Sequence, residues 1–130
     1  MKVEEFEKIK KEYIEKCKKV EGYLKNENDI NKANFNGVYI VLDEKNEIVY
    51  IGSAYTNKFT IMNRLKIHLN GHESNATIVN YLTNNTGLNR EEAKKKIREQ
   101  YRFIAYKCDS IEYKLIENVD GLYNSKGKKR

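Results

Sequence analysis

The chain contains no proline and no tryptophan, and it has only two cysteines, Cys17 and Cys108. Two cysteines so far apart in the sequence match no zinc-binding spacing, no redox motif and no disulfide framework. The chain also lacks an apolar run long enough to span a membrane, and its N-terminus is charged rather than signal-like. We therefore predict a soluble, cytoplasmic protein.

The charge of the chain is moderately positive. Its 130 residues suffice for one domain with one modest hydrophobic core. Lysine and arginine number 25 against 19 aspartate and glutamate, which gives a net charge of +6. This balance is compatible with a nucleic-acid partner but does not require one, because the acidic residues are scattered among the basic ones. Function therefore has to be argued from the positions of particular residues.

An amphipathic pattern runs through residues 2–25, where apolar residues recur every three or four positions between lysines and glutamates. This spacing predicts one amphipathic helix. Residues 26–36 are dominated by asparagine, aspartate and lysine, which predicts a loop or linker. We therefore expect an N-terminal helix that is separated from the rest of the chain.

A β-hairpin is predicted for the next segment. Val38–Leu42 and Glu47–Ile51 are rich in β-forming residues and flank the turn-prone residues 43–46. With the turn centred on this tetrapeptide, Tyr39 would stand directly opposite Tyr50, on the same face of the sheet. Both faces of the hairpin are apolar, so helices are expected to cover both sides.

The rest of the chain is predicted to be mostly helical. Apolar residues at i, i+4 and i+8 predict a helix over Thr60–Leu69. Two more helices, a third strand and a last helix follow in this order: Asn75–Thr83, Arg90–Gln100, Tyr101–Lys107 and residues 110–118. Asp109 can cap the last of these helices.

Glu112 stands out among the carboxylates. Leu115, Ile116 and Val119 follow it at i+3, i+4 and i+7, so Glu112 would occupy the first position of a buried helical stripe. A carboxylate in such a position must be paired, bound to a metal ion or placed at the rim of a site. A capping box formed by Asp109 and Glu112 explains the spacing equally well.

Arg64 and His68 are four residues apart and would project from one side of the helix Thr60–Leu69. An arginine can hold a phosphate through two hydrogen bonds and stabilise the charge that builds up in a transition state. A neighbouring histidine can orient water or transfer a proton. On spacing alone, a solvated helix face explains this pair better.

Aromatic and basic residues elsewhere are less specific. By composition, Tyr39 and Tyr50 are ordinary strand aromatics. Because a phenol titrates near about pH 10, either would need a cation or metal-bound water to act as a base. The basic run Lys94–Lys96, with Arg98 and Arg102, could follow a DNA backbone, although an exposed face is the simpler interpretation.

Taken together, the order and spacing of these residues resemble the GIY-YIG nuclease family. Gly37-Val38-Tyr39 and Tyr50-Ile51-Gly52 look like the two halves of the motif that names the family. Arg64 and His68 match the arginine and, in some branches, the histidine of the following helix.

The C-terminal part of the resemblance consists of a glutamate, a Leu-Ile pair and a closing asparagine, here Glu112, Leu115-Ile116 and Asn124. Ser53 stands where excision-repair members often have lysine, which puts a role for that lysine in doubt. Tyr50-Ile51-Gly52-Ser53 with His68, His72 and Asn75 looks closer to the homing or restriction branches. The resemblance covers residues 36–124 as a nuclease domain. It leaves residues 1–25 as an N-terminal helix and residues 125–130 as a basic tail.

The resemblance implies a compact α/β domain in which a small three-stranded antiparallel sheet lies between helices. It also implies a DNA endonuclease that hydrolyses phosphodiester bonds with one divalent cation, Mg²⁺ or Mn²⁺. Glu112 would hold the cation, with water and phosphate oxygens as the other ligands.

Roles for the remaining residues follow from the same resemblance. One tyrosine of the pair, Tyr39 or Tyr50, would activate or orient the attacking water. Arg64 would stabilise the charge on the phosphate, His68 would assist proton transfer, and Asn124 would hold the geometry of the cleft.

Two alternative functions and the oligomeric state remain open. The same scaffold could serve as a non-catalytic DNA-binding or assembly module, or it could cut RNA. A double-strand cutter needs two active sites or two visits, so we predict a homodimer that the helix of residues 2–25 helps to hold. Packing of that helix on its own domain is the simpler arrangement.

Overall fold

Among the residues that the structure describes, the sheet has four antiparallel strands rather than the predicted three. The computed structural model describes residues 1–56, 59–70 and 77–108. Within them the strand order is β1-β4-β2-β3. The strands are β1 (Lys18–Tyr23), β2 (Gly37–Leu42), β3 (Ile48–Ala54) and β4 (Arg102–Lys107). Because β2 and β4 lie at the centre, the first half of the motif is in the middle of the sheet.

The helices of the described ranges lie before β1, between β1 and β2, and between β3 and β4. They are α1 (Val3–Ile9), α2 (Lys11–Ile14), α3 (Glu27–Asn31), α4 (Ile61–Asn70), α5 (Thr77–Thr86) and α6 (Arg90–Gln100). The predicted helices over residues 60–69 and 90–100 and the strand over 101–107 are confirmed. The helix predicted over residues 110–118 lies outside the described residues. In the described part of the chain, no helix combines the length and apolarity needed to cross a membrane.

The single helix predicted over residues 2–25 is wrong. Helix α2 ends at Ile14, and β1 pairs along its whole length with β4, from Lys18 opposite Lys107 to Tyr23 opposite Arg102. Residues 18–23 include a glycine and a β-branched valine, which favour a helix only weakly. Hydrogen bonding to a strand that is distant in the sequence therefore outweighs the local period.

The loop predicted over residues 26–36 is wrong for Glu27–Asn31, which form α3. Asn26 caps this helix, since its side-chain oxygen accepts hydrogen bonds from the backbone N–H groups of Asn28 (3.0 Å) and Asp29 (3.3 Å). An asparagine-rich segment looks like a loop by composition, but here one of the asparagines begins a short helix.

Helices cover both faces of the sheet, as predicted. On one face, Tyr39 and Tyr50 pack with α4, α5 and α6 in the larger core cluster. On the other face, Phe6 of α1 and Ile14 of α2 pack against side chains of β2, β3 and β4, and the Phe6 ring lies 6.1 Å from that of Tyr106. The apolar side of the N-terminal segment is thus buried on its own domain. This removes the reason for expecting that segment to hold a dimer.

The hairpin of β2 and β3 has a different register from the predicted one. Tyr39 pairs with Gly52 and Tyr50 pairs with Val41, so the two tyrosines are diagonal rather than direct partners. The turn explains the difference: Asn46 adopts a left-handed φ of 65°, and a bulge shifts the register beyond it. A shift of two residues keeps each side chain on its face, so both tyrosines still share one face.

Candidate active site

Three rings meet at the centre of the larger core cluster. The Tyr39 hydroxyl lies 2.8 Å from Nε2 of His68, which is hydrogen-bond distance. The ring centroids of Tyr39 and Tyr50 are 5.9 Å apart, and the His68 ring meets that of Tyr50 edge-on at 4.6 Å. The two strand tyrosines and the helix histidine therefore form one cluster between β2, β3 and α4.

Gly52 makes room for this cluster. A Cβ atom at this position would lie 2.6 Å from Cζ and from the hydroxyl oxygen of Tyr39, and 2.7 Å from a ring carbon of Tyr50. Such distances are below any normal van der Waals contact. The glycine that ends the second half of the motif is therefore required because its direct partner on β2 is a tyrosine whose ring lies across it.

Helix α4 is fixed at its start, which places Arg64 and His68. The backbone N–H of Asn63 donates to Oγ1 of Thr60 (3.3 Å), and the backbone N–H of Thr60 donates to the side-chain oxygen of Asn63 (3.0 Å). This is the reciprocal arrangement of a capping box. The N–H of Ile61 also donates to the carbonyl of Phe35 (2.9 Å), so the helix is tied to the segment that precedes β2.

The hydroxyl of Tyr39 is held in its neutral form. Burial raises the pKa of Tyr39 well above its usual value, and the neighbouring Tyr50 raises it further. The positive charge of Arg64 acts in the opposite direction and lowers this pKa. The guanidinium group is thus close enough to favour a developing phenolate, although burial is the larger effect.

His68 is neutral at physiological pH. Its side chain is only 6% exposed. Burial, followed by the charge of Arg64, lowers the pKa of His68 to about 4. Among the described residues, Nδ1 of His68 has no hydrogen-bond partner. A neutral imidazole whose Nε2 faces a phenol can accept a proton from it, provided that Nδ1 carries the ring proton.

Four of the six predicted site residues are thus brought together: Tyr39, Tyr50, Arg64 and His68. Glu112 and Asn124 lie outside the described residues. Within the described ranges, no group of three histidine, cysteine, aspartate or glutamate side chains could hold a metal ion. Sequence reasoning missed Gly52 and Thr60 as residues that shape the site. A threonine before a helix was a readable signal for Thr60, whereas the pairing of Gly52 with Tyr39 depends on the bulge in the hairpin.

The residues of the cluster differ in their exposure to solvent. Tyr39 is fully buried and Tyr50 is nearly so, whereas Arg64 is partly exposed. Among the residues of this cluster, Arg64 is therefore the most exposed to solvent. The basic run on α6 is partly neutralised, since Lys94 lies 3.5 Å from Glu91 and Lys96 lies 3.3 Å from Glu44.

Comparison with known proteins agrees with this geometry. The family model of the GIY-YIG catalytic domain matches residues 35–124. The chain belongs to the GIY-YIG family. Neither the curated proteins nor the solved structures contain a significant match. The matched residues begin just before β2, so α1, α2, β1 and α3 lie outside them. Membership of this family assigns the chain to the nucleases in general.

Proposed function

We propose that the protein is a divalent-metal-dependent endonuclease that hydrolyses phosphodiester bonds in DNA. The observation that carries the proposal is the contact of 2.8 Å between the Tyr39 hydroxyl and Nε2 of a neutral, buried His68. Arg64 stands one helical turn before His68 on the same helix. A proton donor, a proton acceptor and a phosphate-binding cation are therefore adjacent.

The geometry favours Tyr39 over Tyr50 as the tyrosine that activates water. Its raised pKa makes a free phenolate costly. A relay avoids this species: the Tyr39 oxygen accepts a proton from the attacking water while its own proton passes to Nε2 of His68. The water oxygen then bonds to phosphorus, the bond to the leaving oxygen breaks, and the leaving oxygen takes up a proton from solvent. His68 returns the relayed proton to solvent after the bond has broken. Tyr50 packs edge-on against the imidazole and holds its orientation.

Arg64 would bind the scissile phosphate. A guanidinium group can donate two hydrogen bonds to phosphate oxygens and stabilise the charge that develops on them. Arg64 also lowers the pKa of His68, which opposes protonation of the imidazole. A bound phosphate would offset part of that positive charge, so His68 would become a better proton acceptor when substrate is present.

We propose Glu112 as the residue that holds the cation and Asn124 as a residue that shapes the cleft. A carboxylate oxygen is a suitable ligand for Mg²⁺ or Mn²⁺, and the described cluster supplies further oxygen atoms only from phenols. When bound, a divalent cation would neutralise charge on the phosphate and lower the pKa of coordinated water.

DNA is proposed as the substrate because of the family and of the net charge of +6. The test is conversion of a supercoiled plasmid in Mg²⁺ by the full-length chain and by Glu112→Gln, with Glu117→Gln as a matched control from the same segment. We expect the wild type and the control to cleave, Glu112→Gln to bind DNA without cleaving it, and EDTA to abolish cleavage.

Four results would contradict this proposal in different ways. Full activity in EDTA would remove the cation from the reaction. Undiminished cleavage by Glu112→Gln would remove Glu112 from its role. Cleavage of single-stranded RNA in preference to plasmid would identify an RNA nuclease, and binding without cleavage under all conditions would identify a DNA-binding module.

Two further statements stay predictions. We propose a cytoplasmic location, and we propose a homodimer because a double-strand cutter needs two active sites. Light scattering at tens of micromolar, roughly the range in which a specific interface forms, tests the dimer. A monomer at that concentration would make nicking of one strand the expected activity.

A further inference from the structure

The two cysteines of the chain, separated by most of the sequence, meet at one end of the sheet. Sγ of Cys17 lies 2.9 Å from Sγ of Cys108. The contact follows from the register of β1 and β4, in which Lys18 pairs with Lys107. Cys17 and Cys108 are the next residues beyond this pair, so they occupy the following cross-strand position. Such opposed positions bring Cβ atoms close to the range that a disulfide requires, and here the two sulfur atoms are already in contact.

The main chain at Cys108 contacts Tyr55, which follows β3, and the start of β2. Tyr55 donates a hydrogen bond from its hydroxyl to the carbonyl of Cys108 (3.4 Å). The backbone N–H of Cys108 also lies beside Gly37, where an added Cβ would be 3.2 Å from it. Cys108 is therefore held against the start of β2, at the first residue of the family motif.

Small molecules can reach the pair from solvent. Both cysteines are partly exposed. Cys17 also lines a surface cavity of about 490 Å³ between α1, α2 and the start of β1, together with Lys8, Lys11 and Tyr106. An oxidant of the size of a small disulfide can enter such a space, whereas a thiol buried in the core would be inert.

We propose that Cys17 and Cys108 are a modification site that forms a reversible intramolecular disulfide by exchange with a small-molecule disulfide. One cysteine thiolate attacks a sulfur of the small disulfide and releases one small thiol. The other cysteine then displaces the second small thiol from the mixed disulfide. The two cysteines lose two electrons and two protons, and the small disulfide is reduced to two thiols.

The bond would join the N-terminal segment to the end of β4. It would add a covalent link between the two segments just beyond the last pair of β1 and β4, Lys18 with Lys107. Cys108 also stands four residues before Glu112 in the sequence. Oxidation would therefore anchor the start of the segment that carries Glu112, the proposed cation ligand. Formation of the disulfide itself does not depend on the proposed nuclease function.

The experiment treats the full-length protein with glutathione disulfide and measures intact mass and titratable thiols. We expect the wild type to lose both thiols and to become about 2 Da lighter, because two protons leave with no added group. Cys17→Ser and Cys108→Ser should each retain one glutathionyl group, since neither variant has a second cysteine to displace it. Reductant should restore the original mass in every case.

Stability supplies a second measurement. Closing so long a loop should raise the thermal unfolding midpoint of the oxidised wild type by about 10 °C, and Cys17→Ser should show no such rise. The proposal fails if the wild type keeps both thiols, accumulates glutathionyl adducts, or cross-links only between chains. An unfolding midpoint that does not change on oxidation would also contradict it.

Discussion

Acid should destabilise this protein through His68. The perturbation is a fall in pH from neutral to about pH 4. In the unfolded chain a histidine takes up a proton near about pH 6.5, whereas burial and Arg64 lower the folded pKa of His68 to about 4. Between these values the unfolded state binds one more proton than the folded state. The contribution of neutral His68 to the free energy of unfolding is therefore fully present above about pH 6.5. It is lost as the pH falls towards about pH 4.

The size of the loss follows from the two pKa values. At about pH 5 the linkage relation gives a decrease of about 2 kcal/mol in the free energy of unfolding, and at about pH 4 a decrease of about 3 kcal/mol. Because the free energy of unfolding of a protein is typically about 5–15 kcal/mol, protonation of this one side chain removes a measurable share of it. The contact with the Tyr39 hydroxyl does not prevent the loss, because a neutral phenol does not stabilise an imidazolium as a carboxylate would.

Urea denaturation of the wild type and of His68→Gln across this pH range measures the effect. Glutamine does not titrate, so subtracting one curve from the other removes the contributions of the other ionisable groups. The difference in unfolding free energy should fall by about 2 kcal/mol between neutral pH and about pH 5. A flat difference, or one that grows as the pH falls, would refute a buried neutral His68.

Three other substitutions test the shape of the site. Gly52→Ala should lower the free energy of unfolding, measured in urea, by about 1–3 kcal/mol and should slow plasmid cleavage, because the added Cβ would overlap the Tyr39 ring. Unchanged stability would contradict this close contact. Arg64→Lys should slow cleavage by roughly a hundredfold, since the bidentate phosphate contact is lost. Thr60→Ala should lower the free energy of unfolding by about 1 kcal/mol and also slow cleavage, because Thr60 caps α4. Asn89→Ala removes the cap of α6 instead, so it should lower stability by a similar amount and leave the cleavage rate unchanged. Equal cleavage rates for the two cap variants would show that the start of α4 does not position the site.

The faces and elements that carry the site were predictable because they depend on local periods. Strand alternation put Tyr39 and Tyr50 on one face, and a helical period put Arg64 and His68 on one side of α4. These conclusions are correct although the predicted register was wrong, since an error of two residues leaves each side chain on the same face of the sheet. The direct partner of Tyr39 is Gly52, and the bulge that decides this leaves no clear trace in the sequence.

Long-range pairing was not predictable. The strand β1 forms only because β4 offers it a partner across most of the chain, and its local pattern is equally compatible with a helix. The same pairing brings Cys17 to Cys108, two residues that looked unrelated in the sequence. The pKa values of His68 and Tyr39 likewise depend on burial, which is a property of the folded structure.

The most direct test of the relay compares plasmid cleavage in Mg²⁺ by the wild type, Tyr39→Phe and Tyr106→Phe. Both substitutions remove one tyrosine hydroxyl from the core, but that of Tyr39 contacts His68, whereas that of Tyr106 donates to Glu7 on the opposite face (3.0 Å). We expect Tyr39→Phe to lose at least roughly a hundredfold in rate and Tyr106→Phe to cleave like the wild type. Cleavage by Tyr39→Phe at the wild-type rate would contradict the relay from water through Tyr39 to His68.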